Sequence, residues 1–277
     1  SSFCQSLEDH RDLSGKSDFR PRRPFTLNVS DAKKGAMAKR TSPKKKKTPP
    51  VQRRSIKRRV IGGLIKGFIA VAGLLLVMIL LFTMLNPPTT PYMVSESRRL
   101  GGVNQQWIAL EHVAPVVARS VVAAEDANFC EHWGFDLAAI KKAIAQGSNR
   151  GASTLSQQVV KNVYLWQGRT WVRKALEAAL TPVVEAIWTK RRIIEVYLNV
   201  AEFGEGVFGI DAAAQHYFGV IPAELSELQA AQLAAILPSP KTRSASRPSA
   251  SVRRRSTQIR DGAATISKDG RSSCFES

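Results

Sequence analysis

The chain contains 277 residues, of which 44% are hydrophobic and 23% charged, as in a folded protein rather than a disordered or fibrous one. Its formal net charge of +19 points at first to nucleic acid or an anionic membrane surface as partner. The three cysteines, Cys4, Cys130 and Cys274, are too few and too widely spaced for a disulfide framework, and no C-x-x-C pair indicates a metal site. Small disulfide-rich secreted folds and zinc-finger DNA binders are therefore excluded.

The positive charge is concentrated at the two flanks of the chain. Residues 1–60 contain 18 Lys and Arg against five Asp and Glu, a net charge of +13, whereas residues 95–240 contain 13 basic and 14 acidic residues, a net charge of −1. Residues 241–260 contain seven basic residues and no acidic one. A folded DNA-binding domain carries its basic face on the packed unit itself. This distribution therefore argues against a nucleic-acid partner.

The first 59 residues are expected to form a basic, disordered head. Their Pro/Lys-rich stretch TSPKKKKTPP has nothing apolar to bury. Met37 opens MAKRTSPKKKKTPP, which has the form of a natural start. We therefore expect residues 1–36 not to be native sequence and assign them no function.

Residues 60–85 form the strongest physical signal in the sequence and predict one transmembrane helix. Residues 67–85 are 19 consecutive uncharged residues, enough to cross a hydrocarbon core of about 30 Å. Lys66 lies near one end, where its ammonium group can reach the headgroups. Five Lys and Arg between residues 53 and 59 precede the span, and only Arg98 and Arg99 follow closely. The positive-inside rule then places the N-terminus in the cytoplasm and the rest beyond the membrane.

After a predicted linker over residues 86–97, residues 98–255 are predicted to form a mainly α domain, followed by a tail of uncertain structure over residues 256–277. Thr154 and Gln157 fit a capping box that starts a helix ending near residue 164. Apolar residues at helical spacing predict further helices. These cover approximately residues 113–124, 136–145, 170–187, 190–198 and 225–237.

Two adjacent carboxylates, Glu125 and Asp126, directly follow an apolar stretch and form the first candidate site. A carboxylate at the edge of an apolar wall is desolvated, which raises its pKa toward that of a working general base. The alternative interpretation is an ordinary helix end with solvated acids.

Two further segments combine cations with a helix start. Lys161 lies one turn after Gln157 in the helix that Thr154 caps, an arrangement suited to an anionic or sugar-rich ligand. Arg173 and Glu177 form an i, i+4 pair beside which phosphate could bind. The alternatives are a plain capped surface helix for the first and a surface salt bridge of little energetic value for the second.

Together these segments resemble the bacterial peptidoglycan glycosyltransferases, glycosyltransferase family 51. Five segments match the family signatures in order. They are Glu125-Asp126-x-x-Phe129-x-x-His132-x-Gly134, Gly151-Ala-Ser153-Thr154-Leu-Ser-Gln157-Gln158-x-x-Lys161-Asn162, Arg173-Lys174-x-x-Glu177, Lys190-Arg-Arg-Ile-Ile-Glu195-Val-Tyr197-Leu-Asn199 and Ala212-Ala-Ala-Gln-His-Tyr-Phe-Gly219. Residues 201–214 further resemble the stand-alone biosynthetic transglycosylases of Gram-negative bacteria.

The resemblance implies a lysozyme-like, mostly helical fold with a small membrane-proximal lobe. It also implies the reaction: a glycan chain on undecaprenyl diphosphate is the donor and lipid II is the acceptor. Glu125 would deprotonate the acceptor 4-hydroxyl, which displaces the diphosphate with inversion. Glu177 would be the second catalytic carboxylate, and Lys161, Arg169 and Arg173 would stabilise the leaving group.

The remaining site residues that the resemblance implies fall into two groups. Further substrate-binding residues would be Asp126, Phe129, Ser153, Thr154, Gln157, Gln158, Asn162 and Lys174. Residues that support the site would be His132, Gly134, Glu195, Tyr197 and Asn199.

The resemblance requires no cofactor, although a divalent cation, Mg²⁺ or Mn²⁺, can assist diphosphate binding. It implies a single-pass protein of the bacterial inner membrane with a periplasmic catalytic domain and with cell-wall synthesis or division proteins as partners. The sequence alone does not decide whether Cys130 and Cys274 pair.

Three other functions are alternatives to a stand-alone glycosyltransferase. A membrane-tethered lytic glycosidase fits the implied fold but has no diphosphate to stabilise, and a non-catalytic cell-wall scaffold could retain the domain. A bifunctional penicillin-binding protein is not expected, because too few residues follow Pro240 in this sequence for a transpeptidase. The S-x-x-K matches at Ser30 and Ser42 lie in the basic head, without an accompanying S-D-N or K-T-G.

Overall fold

The computed structural model describes residues 56–145, 153–168 and 170–276, and the regular structure in these ranges is mostly helical, as predicted. Most of the predicted basic head therefore lies outside the described residues. The helices are α1 (Ile56–Leu81), α2 (Pro91–Leu100), α3 (Pro115–Glu125), α4 (Leu137–Ala145), α5 (Leu155–Tyr164), α6 (Trp171–Ile187), α7 (Lys190–Val200), α8 (Ile210–Phe218), α9 (Glu227–Ile236), α10 (Ala250–Lys268) and α11 (Ser273–Glu276). Short 3-10 turns occur at Leu110–His112 and Pro222–Glu224.

Helix α1 is long and apolar enough to cross a membrane, with a mean hydropathy of 2.7 over its most apolar 18 residues. It ends four residues before the predicted position. Pro87 and Pro88 disfavour helix just ahead of them, and Arg192 of α7 donates to the carbonyls of Phe82 (3.0 Å) and Leu85 (2.8 Å). The end of α1 is thereby fixed to the domain that follows it.

The linker predicted over residues 86–97 is shorter than expected, because α2 begins within it. Thr90 caps this helix by accepting a hydrogen bond from the backbone N–H of Met93, and Pro91 occupies its first turn. Proline at the first helical position is a start signal rather than a sign of a loop. The Pro/Thr composition misled the prediction here.

The tail predicted to be of uncertain structure beyond residue 255 is helical. In α10, buried residues recur at spacings of three and four and extend past residue 255. They are Val252, Ser256, Ile259, Ala263 and Ile266. A disulfide between Cys130 and Cys274 then joins α11 to the loop after α3.

Two helix groups form the body of the domain. Helices α3, α9 and α10 pack together, while α5 packs between α6 and α7. A small three-stranded sheet lies under α8, in the order β1 (Asn104–Gln105), β3 (Val207–Phe208), β2 (Glu202–Gly204). Strand β3 pairs in parallel with β1 and antiparallel with β2, with Gln105 and Glu202 both opposite Phe208.

Candidate active site

Glu125 is the last residue of α3, whose buried valines Val117, Val121 and Val122 form the apolar wall that the sequence predicts. Its side chain is 16% exposed, and one carboxylate oxygen accepts a hydrogen bond from Gln158 Nε2 (3.0 Å). Burial raises the pKa of Glu125, and the hydrogen bond from Gln158 acts in the opposite direction. The environment therefore perturbs this carboxylate in the sense expected of a general acid or base.

Gln158 is oriented by Tyr197, whose hydroxyl donates to Gln158 Oε1 (3.4 Å). Tyr197 is buried, and burial raises its pKa well above the ordinary value, so the hydroxyl keeps its proton. With Oε1 accepting, the amide nitrogen faces Glu125. Tyr197 and Gln158 thus form a relay of hydrogen bonds that holds the carboxylate.

Asp126 uses both of its oxygens within the protein. Oδ1 accepts from His132 Nε2 (2.8 Å), and Oδ2 accepts from the backbone N–H of Leu155 (2.9 Å), the first residue of α5. The side chain therefore ties the loop after α3 to the start of α5. Asp126 therefore has a positioning role within the protein, and its contact with substrate stays a prediction.

Thr154 and Gln157 form the predicted capping box of α5, which is confirmed. Thr154 Oγ1 also donates to the carbonyl oxygen of Gly134 (2.7 Å). The side chains of Thr154 and Gln157 are both buried. Phe129, in the loop between α3 and α4 that also contains Gly134, is 1% exposed. Thr154, Gln157 and Phe129 therefore make structural contacts, and their predicted binding of substrate stays a prediction.

The ion pair of Arg173 and Glu177 is buried, so its interpretation as a weak surface salt bridge is wrong. Glu177 is 2% exposed and accepts from Arg173 Nη1 (2.6 Å) and from Lys174 Nζ. Arg173 also donates to the carbonyl of Gly168 (2.7 Å), and Lys174 donates to Ser153 Oγ (3.1 Å). Removing one partner of such a pair leaves a buried charge without compensation.

Lys161 interacts electrostatically with both Glu125 and Glu177. Burial lowers the pKa of its ammonium group, while Glu177 and Glu125 both act to raise it. Its ammonium group makes no hydrogen bond or ion pair with another side chain or with backbone in the described ranges. The site therefore contains a desolvated cation that a bound anion could satisfy.

Further predicted residues brace the surroundings. Asn199 exchanges two hydrogen bonds with the backbone of Ile108 (2.8 and 2.9 Å), and Glu195 pairs with Arg192 (3.2 Å). Asn162 is buried and accepts from Gln167. Arg169 lies outside the described residues.

A buried network of hydrogen bonds, which the sequence did not predict, supports the loop between α3 and α4. Glu185 of α6 accepts from Ser156 Oγ and from Lys190 Nζ (2.9 Å). Lys190 also donates to the carbonyl of His132 (2.8 Å) and lies over the Phe129 ring, 4.4 Å from its centroid. Helical spacing places Glu185 on the face of α6 opposite Leu176, Leu180 and Val183, so the apolar periodicity of this segment gave no signal for the network.

Comparison with known proteins decides the family. A family profile described as Transglycosylase matches residues 93–264. The chain belongs to the transglycosylase family. It is 58% identical over 212 residues to the biosynthetic peptidoglycan transglycosylase of Jannaschia sp. (strain CCS1), which covers 76% of this chain and 89% of that protein. Proteins of the same name from Cronobacter sakazakii and Caulobacter vibrioides are 47% and 44% identical, covering 70% and 72% of this chain and 86% and 88% of theirs. The prediction that the chain is a glycosyltransferase is confirmed.

Two carboxylates of the site are occupied by protein groups. Glu177 and Asp126 each direct both oxygens to protein groups. Within the described ranges, no cluster of three or more His, Cys, Asp or Glu side chains could hold a metal ion.

Proposed function

We propose that this transglycosylase polymerises lipid II into peptidoglycan glycan strands, with Glu125 as the general base. The family match and the names of the relatives support peptidoglycan as the product class. The donor would be the growing chain on undecaprenyl diphosphate, and that diphosphate would be released.

The observation that carries the proposal is the proximity of Glu125 to Lys161. Burial raises the pKa of the first and lowers the pKa of the second, so each group has the perturbation expected of a functional one. A base and a desolvated cation that interact with each other suit a reaction in which a hydroxyl loses a proton while an anion departs.

The proposed step is a single displacement. Glu125 takes the proton of the acceptor 4-hydroxyl as its oxygen attacks the anomeric carbon of the donor, and the bond from that carbon to the diphosphate oxygen breaks with inversion. Lys161, with Arg169 and Arg173, would stabilise the negative charge on the diphosphate. Glu177 would act on the donor side by orienting Arg173 and Lys174, which it binds directly.

The described surface is suited to a lipid-linked substrate. Apolar side chains around α4 and the start of α6 are exposed, among them Trp171, which is 90% exposed, together with Trp133 and Ile144. Aromatic and aliphatic side chains of this kind partition to membrane interfaces. We infer that this part of the domain, the predicted small lobe, lies against the membrane that α1 spans.

The disulfide supports a catalytic domain in the periplasm. Cys130 and Cys274 both follow α1 and are joined to each other, and such bonds persist in oxidising compartments. Binding partners among cell-wall synthesis and division proteins stay a prediction.

A lytic glycosidase is the second candidate, and the raised pKa of Glu125 favours it specifically. A carboxyl group that holds its proton can act as the general acid for a glycosidic bond. Lys161 has no task in that reaction, because a sugar leaving group carries no diphosphate. We therefore place this candidate second.

The test supplies the full-length protein in detergent with lipid II in one assay and with isolated cell-wall sacculi in another. Polymeric glycan from lipid II, lost in Glu125→Gln, supports the proposal. Release of soluble fragments from sacculi without polymer would establish the lytic function instead. Glu131→Gln, at an exposed acid of the same loop, is the matched control and should polymerise at the normal rate.

A further inference from the structure

Arg255 reaches the candidate base from a helix outside all five signature segments. It belongs to α10, and its guanidinium Nη2 lies 3.2 Å from the carbonyl oxygen of Ala124 and 3.6 Å from Glu125 Oε1. In the sequence it is one of seven basic residues in a flank without acids, so nothing local distinguishes it.

The packing of α10 on α3 brings Arg255 to this position. Gly262 of α10 faces α3 so closely that a Cβ there would lie 3.2 Å from the Ala123 Cβ. The buried face of α10 includes Val252 and Ser256, on either side of Arg255 in sequence. The backbone of α10 is thus held against α3, and the arginine side chain, 38% exposed, extends to the end of α3.

The Glu125 carboxylate is held from two sides. Gln158 donates to Oε2, and the Arg255 guanidinium faces Oε1 while also bonding to the carbonyl of the preceding residue. A guanidinium fixed to backbone has less freedom to leave its partner than an arginine that touches only a carboxylate. The contact is therefore built into the fold.

We propose that Arg255 is a positioning residue for the reaction, which fixes the orientation of the Glu125 carboxylate and keeps it ionised. This inference rests on the proposed role of Glu125 as general base. It adds a residue from α10 to a site otherwise formed by α3, α5, α6 and α7.

The charges around Glu125 explain why a second cation is needed. Burial raises the pKa of Glu125, and Asp126 adds to that effect, while Gln158, Arg255 and Lys161 lower it. During turnover Lys161 would be neutralised by the diphosphate that it binds. Arg255 then remains as the cation that opposes protonation of the base, and the buried Tyr197 hydroxyl nearby stays neutral.

The experiment measures kcat/KM for lipid II polymerisation against pH, between about pH 5 and pH 9, in Arg255→Gln, Arg255→Lys and Arg254→Gln. In Arg255→Gln the acidic limb should move to higher pH by about half a unit, the size expected for a partly exposed ion pair, with activity recovering as pH rises. Arg255→Lys should restore part of the shift. Arg254→Gln removes an exposed neighbouring charge and should keep the normal profile.

Two results would overturn the inference. One is an acidic limb in Arg255→Gln at its normal pH, and the other is an equal loss of activity at every pH, which a purely structural role produces. Thermal unfolding of each variant identifies a folding defect, and Arg255→Lys then carries the test. Wild-type activity in Glu125→Gln would refute the proposed function itself, so the two failures are distinguishable.

Discussion

Breaking the disulfide between Cys130 and Cys274 should destabilise the domain substantially. The bond joins residues 144 positions apart, and the loop-closure entropy of a cross-link that long corresponds to about 5 kcal/mol at 25 °C. Measured values for disulfides are commonly about 2–4 kcal/mol. Because Phe275 remains buried and Arg119 pairs with Glu276 (2.6 Å), noncovalent contacts should keep α11 attached to the folded protein. We therefore expect the free energy of unfolding to fall by about 2–4 kcal/mol.

The assay is equilibrium or thermal unfolding of the full chain in detergent, with and without a reductant. For a domain of this size, a loss of 2–4 kcal/mol lowers Tm by roughly 5–15 °C. The double variant Cys130→Ser/Cys274→Ser should show the same Tm as the reduced protein and should not respond to reductant. An unchanged Tm after complete reduction, verified by thiol titration, would show that the disulfide does not stabilise the folded domain.

Three further predictions concern the site and its support. The rate of polymerisation should follow a bell-shaped pH profile. The acidic limb reflects Glu125, whose pKa is raised above that of an ordinary glutamate, and the basic limb reflects Lys161, whose pKa is lowered below that of an ordinary lysine. A rate independent of pH would contradict this prediction. Glu177→Ala should lower the unfolding free energy by about 3–5 kcal/mol in urea titrations, because its buried arginine partner is left unpaired. Gly134→Ala should cost about 2–5 kcal/mol, since its φ is +80° and a Cβ would lie 2.6 Å from a threonine methyl group, whereas Gly270→Ala, at the same φ in open space, should cost about 1–2 kcal/mol.

Local sequence signals predicted the helices well where the start signal was a short pattern. Thr154 and Gln157 satisfy each other's hydrogen bonds within one turn, and Thr170 caps α6 by accepting from the backbone N–H of Arg173, so both helices begin where expected. The same knowledge applied to Thr90 and Pro91 would have predicted α2. The Pro/Thr composition of this segment is typical of a linker, but the positions of Thr90 and Pro91 are those of a helix start.

The sequence predicted which segments form the site better than what each side chain does. Asp126 and Thr154 belong to matched motifs, yet their polar atoms bond to the backbone of Leu155 and Gly134. A motif shows that residues occur together and leaves open whether they face a ligand or each other. Long-range pairings such as Arg255 with Glu125 depend on how helices pack, which no local pattern contains.

Steady-state kinetics of Glu125→Gln test whether Glu125 is the base in lipid II polymerisation. Glutamine preserves the size and the hydrogen-bonding shape of the side chain but cannot take up the proton. We predict that kcat falls by about 10²–10⁴-fold while KM for lipid II changes little. A kcat within a few-fold of wild type would contradict the claim.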